Sequence, residues 1–365
     1  MSVDVAVDWH AHARDRGWRC ASPSLDAIAF HRSLEGYLPT PLIDLPELAA
    51  ELGVGRVLAK DESSRLGLPA FKALGASWAV HRALREPADG EATVVVTATD
   101  GNHGRAVARF SRLLGHPARI VVPPGVSRPA VEAILGEGAE VSAVEGTYDD
   151  AVAEAARLAA EIGGVLVQDT AWEGYEEVPG WIVEGYATLF VETDEQLSEA
   201  GLSRPDLVVV PTGVGSLLQA SLAHYRGDRA SPGTAVVSAE PLAAACMAPS
   251  LRAGRPLTVG SGATVMAGLN CATPSSLAWP FIEAGLDAAV AVSEEQDVRA
   301  AHDLAALGVQ AGPCGAASLA AARVALLGPD AADRRRHLGI GADSVVVLVV
   351  TEGSAANPVP PLENQ

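Results

Sequence analysis

An alternation of short hydrophobic runs with helical stretches, from about residue 90 onward, most constrains how this chain can fold. The predicted strands are continuous in Val, Ile or Leu and lie at Thr93–Thr97, Arg119–Pro123, Glu140–Val144, Val165–Gln168, Leu207–Val210, Ala235–Ser238 and Ser344–Val350. Helices are predicted at His103–Leu114, Arg128–Leu135 and Tyr148–Ile162. Strands that are hydrophobic on both faces and separated by helices are typical of parallel sheets covered by helices. The pattern therefore predicts an α/β protein.

Length and charge restrict the number of domains and the kinds of partner that this chain can have. A chain of 365 residues is long for one domain and suits two, and the aromatic-rich stretch from Gln168 to Val191 interrupts the alternation. The net charge of −19 argues against nucleic acid or an anionic membrane as a partner. No apolar run approaches the length of a membrane span, and the first residues lack the order of a signal peptide.

The cysteines indicate the compartment. Cys20, Cys246, Cys271 and Cys314 show no metal-ligand spacing, so we expect no metal site. Reduced thiols fit a cytoplasmic protein. Whether Cys246 and Cys271 pair is left open by the sequence.

Lysine is scarce in this chain. Of the 26 Lys and Arg residues, only Lys60 and Lys72 are lysines. Arginine can neither lose its proton in a protein nor form an imine, whereas lysine can do both. Lys72 lies among apolar or small residues between Leu68 and Ala76, where desolvation makes it a candidate Schiff-base nucleophile; a helix-surface lysine is the alternative. Lys60 lies at a strand end beside carboxylates, where we expect an ion pair.

Three loops that follow predicted strands carry the other candidate residues. The first is Thr99-Asp100-Gly101-Asn102-His103, which opens a helix where backbone N–H groups point toward an anion; an Asp-Gly turn with an Asn cap is the alternative. The second is Gly213-Val214-Gly215-Ser216, whose glycines let the backbone approach one phosphate, although a lone glycine loop is weak support. The third contains Thr351, which offers a hydroxyl. An amine, one phosphate site, an Asn and a hydroxyl together fit pyridoxal 5'-phosphate (PLP).

The order of these residues resembles that of the tryptophan synthase β-like (fold type II) PLP enzymes and, more narrowly, of the diaminopropionate ammonia-lyases. The segments that carry the resemblance are Lys60–Ser63, Arg65–Gly75, Ala98–Arg105, Val167–Tyr175 and Val265–Leu269. Asp100 favours the narrower family, because relatives that act on serine or threonine usually have serine there. Pro69 and Pro313-Cys314 depart from the pattern and leave the exact substrate open.

The resemblance implies an architecture and a set of roles. Residues 1–75 and 188–365 would form a large PLP-binding domain and residues 76–187 a smaller αβ domain, each with a mostly parallel sheet covered by helices and the active site between them. Lys72 would form an imine with PLP, Asn102 would bond the ring 3'-oxygen, and Thr351 would face the pyridine nitrogen. The phosphate would lie on Gly213, Val214, Gly215 and Ser216. A homodimer is common among such enzymes.

The resemblance also implies the reaction, a PLP-dependent elimination that converts D- or L-2,3-diaminopropionate to pyruvate and ammonia. The predicted substrate-binding residues are Thr99, Asp100, Gly101, His103 and Asp169. Lys72 and Asp100 would take the α-proton from opposite faces, and Asp169 is the third predicted catalytic residue.

One argument for this substrate is independent of the family. A β-ammonium brought into a partly buried site needs compensating negative charge, which Asp100 and Asp169 would supply, and a β-hydroxyl does not. Asp169 as a turn residue at a strand end is the alternative. Two other functions stay open: a serine/threonine-type dehydratase or other β-eliminase of the same fold, and a non-enzymatic regulatory module that binds PLP or an amino acid.

Overall fold

The structure is a computed structural model that describes residues 9–84, 92–99 and 101–362. In chain order, the strands are β1 (Trp9–Ala11), β2 (Leu42–Asp44), β3 (Arg56–Asp61), β4 (Val95–Ala98), β5 (Ala118–Val122), β6 (Glu140–Ala143), β7 (Val165–Leu166), β8 (Leu207–Pro211), β9 (Ala235–Pro241), β10 (Ala288–Val292) and β11 (Val345–Val350). The α-helices are α1 (Asp26–Ser33), α2 (Pro46–Leu52), α3 (Lys72–Ala83), α4 (Asn102–Leu113), α5 (Arg128–Gly136), α6 (Tyr148–Ile162), α7 (Glu177–Glu199), α8 (Ser216–Tyr225), α9 (Met247–Ala253), α10 (Trp279–Gly285), α11 (Glu294–Ala306), α12 (Pro313–Leu326) and α13 (Ala331–Leu338).

The chain divides into two compact units. Unit 1 comprises Met1–Pro23, Pro39–Ser64 and Leu189–Gln365, and unit 2 comprises Ser24–Leu38 and Arg65–Thr188. The chain passes from unit 2 to unit 1 within α7, between Thr188 and Leu189.

Unit 1 contains a sheet of seven described strands in the order β1-β10-β9-β8-β11-β3-β2. The strands from β10 to β3 run parallel, and β1 and β2 pair antiparallel at the two edges. All residues of β8 and β11 are buried, as expected for strands that are covered by helices on both faces. The Ala-rich helix α12 packs against β8, β9, β10 and β11 and supplies much of the core.

Unit 2 contains a smaller sheet of four described strands in the order β6-β5-β4-β7, all parallel. Helix α6 packs three alanines, Ala151, Ala155 and Ala159, against Val96 and Val121 of the sheet. Because these alanines recur every four residues, they form one face of the helix. The predicted fold class, α/β with mostly parallel sheets covered by helices, is confirmed.

The domain limits differ from the prediction near the N-terminus. Residues 24–38 and 65–75, which we expected in the larger domain, group with unit 2. The physical reason is the packing of α1 on α3. His31 of α1 is buried and its Nε2 lies 3.0 Å from the carbonyl oxygen of Leu74 and 3.1 Å from Ser77 Oγ, both on α3. Lys72, the first residue of α3, therefore belongs to unit 2.

Candidate active site

Lys72 is held by a carboxylate in unit 2. Its Nζ donates a hydrogen bond to Asp169 Oδ2 at 2.7 Å, and the two side chains are 25% and 12% exposed. Helix α3 begins at Lys72, a few residues after the Arg65–Gly67 turn, in which Leu66 adopts the left-handed conformation (φ 51°, ψ 36°) that is unfavourable for leucine. The alternative of an ordinary helix-surface lysine does not fit a residue that is three-quarters buried and paired with a buried acid.

Asp169 is an ionised acid in a buried position. Burial opposes its ionisation, but the charges of Lys72 and then His103 outweigh burial and hold the pKa of Asp169 well below its usual range. His103 Nε2 lies 2.9 Å from the carbonyl oxygen of Val167, which can only accept, so Nε2 carries the hydrogen. The other ring nitrogen, Nδ1, faces Asp169 Oδ2 at 3.9 Å. Lys72 and His103 therefore both lie beside the Asp169 carboxylate.

Gln168 fixes the backbone that carries Asp169. Its Oε1 accepts hydrogen bonds from Thr97 Oγ1 and from the Ala98 N–H, both at 2.9 Å, which ties the segment after β7 to the end of β4. Its Nε2 donates to the Tyr148 hydroxyl at 2.9 Å, and its N–H donates to the Tyr175 hydroxyl at the same distance. Gln168 was not predicted as a support residue, although its position beside Asp169 was a signal.

The loop between β4 and α4 is shaped by Thr99 rather than by an Asn cap. Thr99 Oγ1 accepts hydrogen bonds from the N–H groups of Gly101 (2.9 Å) and Gly104 (3.0 Å), so its oxygen supports the loop. Gly101 is the N-cap residue of α4 and has φ 156°, and Asn102 is the first residue of the helix. The start of α4 is thus a helix N-terminus of the kind at which anions can bind. Asp100, the predicted second base, lies outside the described residues.

The glycine loop of unit 1 is tightly packed. A Cβ on Gly213 would lie 3.0 Å from Cys271 Sγ and 3.2 Å from the carbonyl oxygen of Gly268. Gly215 has φ +104°, and a Cβ there would lie 2.9 Å from Ile282 Cδ1. Only glycine fits these positions without strain. Helix α8 begins at Ser216 with no side-chain cap, so the loop and helix start form a backbone cradle suited to one phosphate.

Thr351 follows β11, the neighbour of β8 in the sheet, so it lies at the same carboxyl edge as the glycine loop. Thr351 is 3% exposed, and its Oγ1 is buried without a hydrogen-bond partner among the described residues. A buried hydroxyl in this state costs about 1–3 kcal/mol, so a ligand heteroatom is the expected partner. This orphan hydroxyl fits the predicted contact with a pyridine nitrogen.

Lys60 has a different role from Lys72. It is fully buried in unit 1, where its Nζ donates to Glu192 Oε2 at 2.7 Å and to the carbonyl oxygen of Thr40 at 2.8 Å. The predicted ion pair is confirmed. Its partner is Glu192, distant in sequence, rather than the adjacent Asp61 or Glu62.

The described residues show no other constellation of this kind. They contain no group of three or more His, Cys, Asp or Glu residues arranged to hold a metal ion. All four cysteines lie in the described ranges, and no disulfide bond joins them. No helix in the described part of the chain is both long enough and apolar enough to cross a membrane.

Comparison with known proteins decides what this set of residues belongs to. The family model described as pyridoxal-phosphate dependent enzyme matches residues 34–352. The chain belongs to this family. PLP, the cofactor that the sequence predicts, and the fold type II architecture are thereby confirmed.

Two relatives, one of them with a solved structure, place the chain within the family. It is 36% identical to diaminopropionate ammonia-lyase of Escherichia coli, over 97% of this chain and 94% of that protein. It matches the crystal structure of diaminopropionate ammonia-lyase from Escherichia coli in complex with an aminoacrylate-PLP azomethine reaction intermediate, with a TM-score of 0.87, 33% identity, and coverage of 95% of this chain and 94% of that one. Serine racemase of Arabidopsis thaliana is 31% identical over 69% of this chain and 71% of that protein. The predicted resemblance is confirmed.

Proposed function

We propose that the chain is a PLP-dependent carbon-nitrogen lyase that converts 2,3-diaminopropionate, in its D form, its L form or both, to pyruvate and ammonia. The observation that carries this proposal is the contact of Lys72 Nζ with Asp169 Oδ2 at 2.7 Å. It places an ionised acid beside the only lysine of this chain that is not committed to a buried structural ion pair. The similarity to diaminopropionate ammonia-lyase along most of the chain supports the substrate.

The residues present fit PLP. The imine lysine is Lys72, Asn102 stands at the start of α4, and the backbone cradle of Gly213–Ser216 suits the phosphate. The orphan hydroxyl of Thr351 suits a ring nitrogen. When bound, PLP supplies the electron sink for the negative charge that develops at the substrate α-carbon. Lys72→Ala and Thr351→Ala should each alter the absorption band of the protein with PLP.

Asp169 supplies the charge that selects a diamino acid. Its ionised state is maintained by Lys72 in the structure. Once the Lys72 amine is engaged elsewhere, a buried carboxylate needs another cation, and the β-ammonium of diaminopropionate provides one. A β-ammonium also leaves as neutral ammonia without further protonation, so Asp169 need not act as an acid. Serine brings no such charge, which disfavours the dehydratase alternative.

Two bases would account for two enantiomers. We propose that Lys72, once freed by the incoming substrate, takes the α-proton on one face and that Asp100 takes it on the other. Loss of the β-amine then gives a three-carbon product whose remaining amine is hydrolysed, so that one diaminopropionate and one water yield one pyruvate and two ammonia.

Mutation of Asp100 tests this division of labour. Asp100→Asn should lower kcat/KM for one enantiomer of diaminopropionate by about 100-fold or more while the other retains activity within about threefold, since loss of a general base typically costs 10²–10⁴. Asp149→Asn, an exposed acid on α6 in the same unit, is the matched control and should leave both rates unchanged. Equal losses for both enantiomers would refute separate bases.

Assays of the same wild-type protein distinguish the remaining alternative functions. Higher kcat/KM with D- or L-serine than with either diaminopropionate would favour a dehydratase. PLP binding without turnover of any of these substrates would favour the regulatory module. We also propose that the protein is a homodimer and that it is cytoplasmic. The four cysteines that form no disulfide support the second proposal, because thiols stay reduced in the cytoplasm. Light scattering after size exclusion would give the mass, expected at twice that of one chain.

A further inference from the structure

Tyr186 of α7 is a fully buried tyrosine in unit 2, and its hydroxyl has no hydrogen-bond partner in the described part of the chain. A phenol in this state costs free energy, because water is lost and nothing replaces it. Each such group in a folded protein needs an explanation. In the sequence, Tyr186 lies within the aromatic-rich stretch from Gln168 to Val191 and is not singled out.

A close helix crossing places this tyrosine on the lysine-bearing helix. A Cβ on Gly75 of α3 would lie 2.5 Å from Tyr186 Cε1 and 2.9 Å from its Cζ. A Cβ on Gly185 of α7 would lie 2.5 Å from the carbonyl oxygen of Leu74. The two glycines therefore permit an approach that larger residues would block.

Tyr186 consequently covers the face of α3 that carries Lys72. Residues three apart on a helix lie on the same face, so Gly75 stands directly beside Lys72. The ring of Tyr186 lies 4.7 Å from that of Phe71, and Lys72 Nζ lies 5.4 Å from the same Phe71 ring. The Lys72 ammonium also lowers the pKa of Tyr186, although burial, the larger effect, raises it. The phenol and the amine are thus neighbours.

We propose that Tyr186 is a positioning residue for Lys72: its hydroxyl accepts an N–H of Nζ and holds the amine whenever Asp169 is occupied by substrate. This inference rests on the proposed function, in which Asp169 compensates the β-ammonium. A carboxylate partner favours the ammonium form of lysine, which is not nucleophilic. A neutral hydroxyl holds an amine while leaving its lone pair available for attack on the PLP aldehyde or for the α-proton.

The same geometry excludes Tyr186 as a general base. Burial dominates its environment and keeps its pKa above the ordinary value for tyrosine, so the phenol stays protonated at working pH. Its proposed contribution is therefore one of geometry, through Lys72. Removing the hydroxyl alone should leave the fold intact, because the ring keeps its packing against Gly75 and Phe71.

The decisive variant is Tyr186→Phe, and Tyr225→Phe is its matched control. Tyr225 is also a buried tyrosine, but it belongs to unit 1 and its hydroxyl already contacts Asp194 Oδ1 at 3.4 Å. The first readout needs no substrate: the rate at which cofactor-free protein develops the imine absorption band after addition of PLP. The second is the split of kcat and KM with diaminopropionate, and the third is the pH profile of kcat.

Tyr186→Phe should slow imine formation and lower kcat by about tenfold to a hundredfold, since loss of positioning is known to cost rates of this size. KM should stay within about threefold, because the substrate itself is not contacted, and the pH profile of kcat should shift. Tyr225→Phe should match the wild type in all three readouts. Wild-type imine formation, kcat and pH profile in Tyr186→Phe would overturn the inference.

A failure of the proposed function is distinguishable from a failure of this inference. If the wild-type chain forms the imine with PLP but releases no pyruvate, the proposed function is wrong. The rate of imine formation in Tyr186→Phe still decides the role of Tyr186 in that case. Lys72→Ala, which removes the amine itself, should show no band and serves as the zero for that rate.

Discussion

Asp297 makes the stability of this protein depend on pH in a direction opposite to that of most carboxylates. The residue lies in α11 of unit 1 and is fully buried, and both of its carboxylate oxygens lack hydrogen-bond partners among the described residues. Burial, and then the nearby charges of Glu294 and Glu352, raises the pKa of Asp297 from 3.8 to about 8. The folded chain therefore holds a proton that the unfolded chain releases.

The sign and size of the effect follow from these two values. The pKa is raised in the folded state, so the stabilisation is complete below pH 3.8 and is lost as pH rises toward 8. Within that window the free energy of unfolding falls by about 1.4 kcal/mol per pH unit for one proton. Between pH 5 and pH 7 the loss from Asp297 alone is therefore about 3 kcal/mol.

Asp297→Asn removes this dependence, because an amide of the same shape does not titrate. The two cofactor-free proteins are unfolded in urea at pH 5, 6 and 7. From pH 5 to pH 7, the free energy of unfolding of the variant should rise by about 3 kcal/mol relative to that of the wild type. Glu295→Gln, an exposed residue of the same helix, is the control and should run parallel to the wild type. If Asp297→Asn also runs parallel within about 0.5 kcal/mol, Asp297 is ionised throughout and the reasoning is refuted.

Two further substitutions test the packing that supports the site. Gly215→Ala should lower the free energy of unfolding by about 2 kcal/mol or more and weaken the binding of PLP, because φ is +104° and the new Cβ would meet Ile282. Thermal unfolding measures the first effect, and equilibrium dialysis with PLP measures the second. An unchanged affinity for PLP would show that this loop does not bind the phosphate. Lys60→Met should lower the free energy of unfolding in urea by about 3–5 kcal/mol, because it removes the cation that pairs with buried Glu192. The double variant Lys60→Met/Glu192→Leu should recover part of that loss. A loss below about 1 kcal/mol in Lys60→Met would contradict a structural ion pair.

Much of the sheet architecture could be predicted from the sequence, because buried parallel strands are continuous hydrophobic runs. The run that ends at Val350 was predicted within one residue, and Tyr148–Ile162 was predicted at its observed limits. The strand Ala288–Val292 was missed, since alternating Ala and Val does not distinguish a strand from a buried helix. The grouping of α1 and of residues 65–75 with unit 2 was also missed, because it depends on contacts such as that of His31 with Leu74, which no local pattern encodes.

The residues of the candidate site could be predicted where the chemistry allows only one or two residue types. They could not be predicted where tertiary packing determines which side chains meet. Scarcity pointed to Lys72, and glycine spacing pointed to the loop at Gly213. The partner of Lys72 is 97 residues away, and its distance could not be read from sequence. Tyr186 gave no signal at all, because its burial results from a glycine-permitted crossing of two distant helices.

The central claim is elimination from a diamino acid on a PLP-bearing Lys72, and the ratio of products tests it most directly. Purified protein with PLP and 2,3-diaminopropionate should release ammonia and pyruvate in a ratio of two to one, with Lys72→Ala releasing neither. Serine, if accepted, can yield only one ammonia per pyruvate and should react with lower kcat/KM. A higher kcat/KM for serine, or diaminopropionate consumed without pyruvate, would contradict the account.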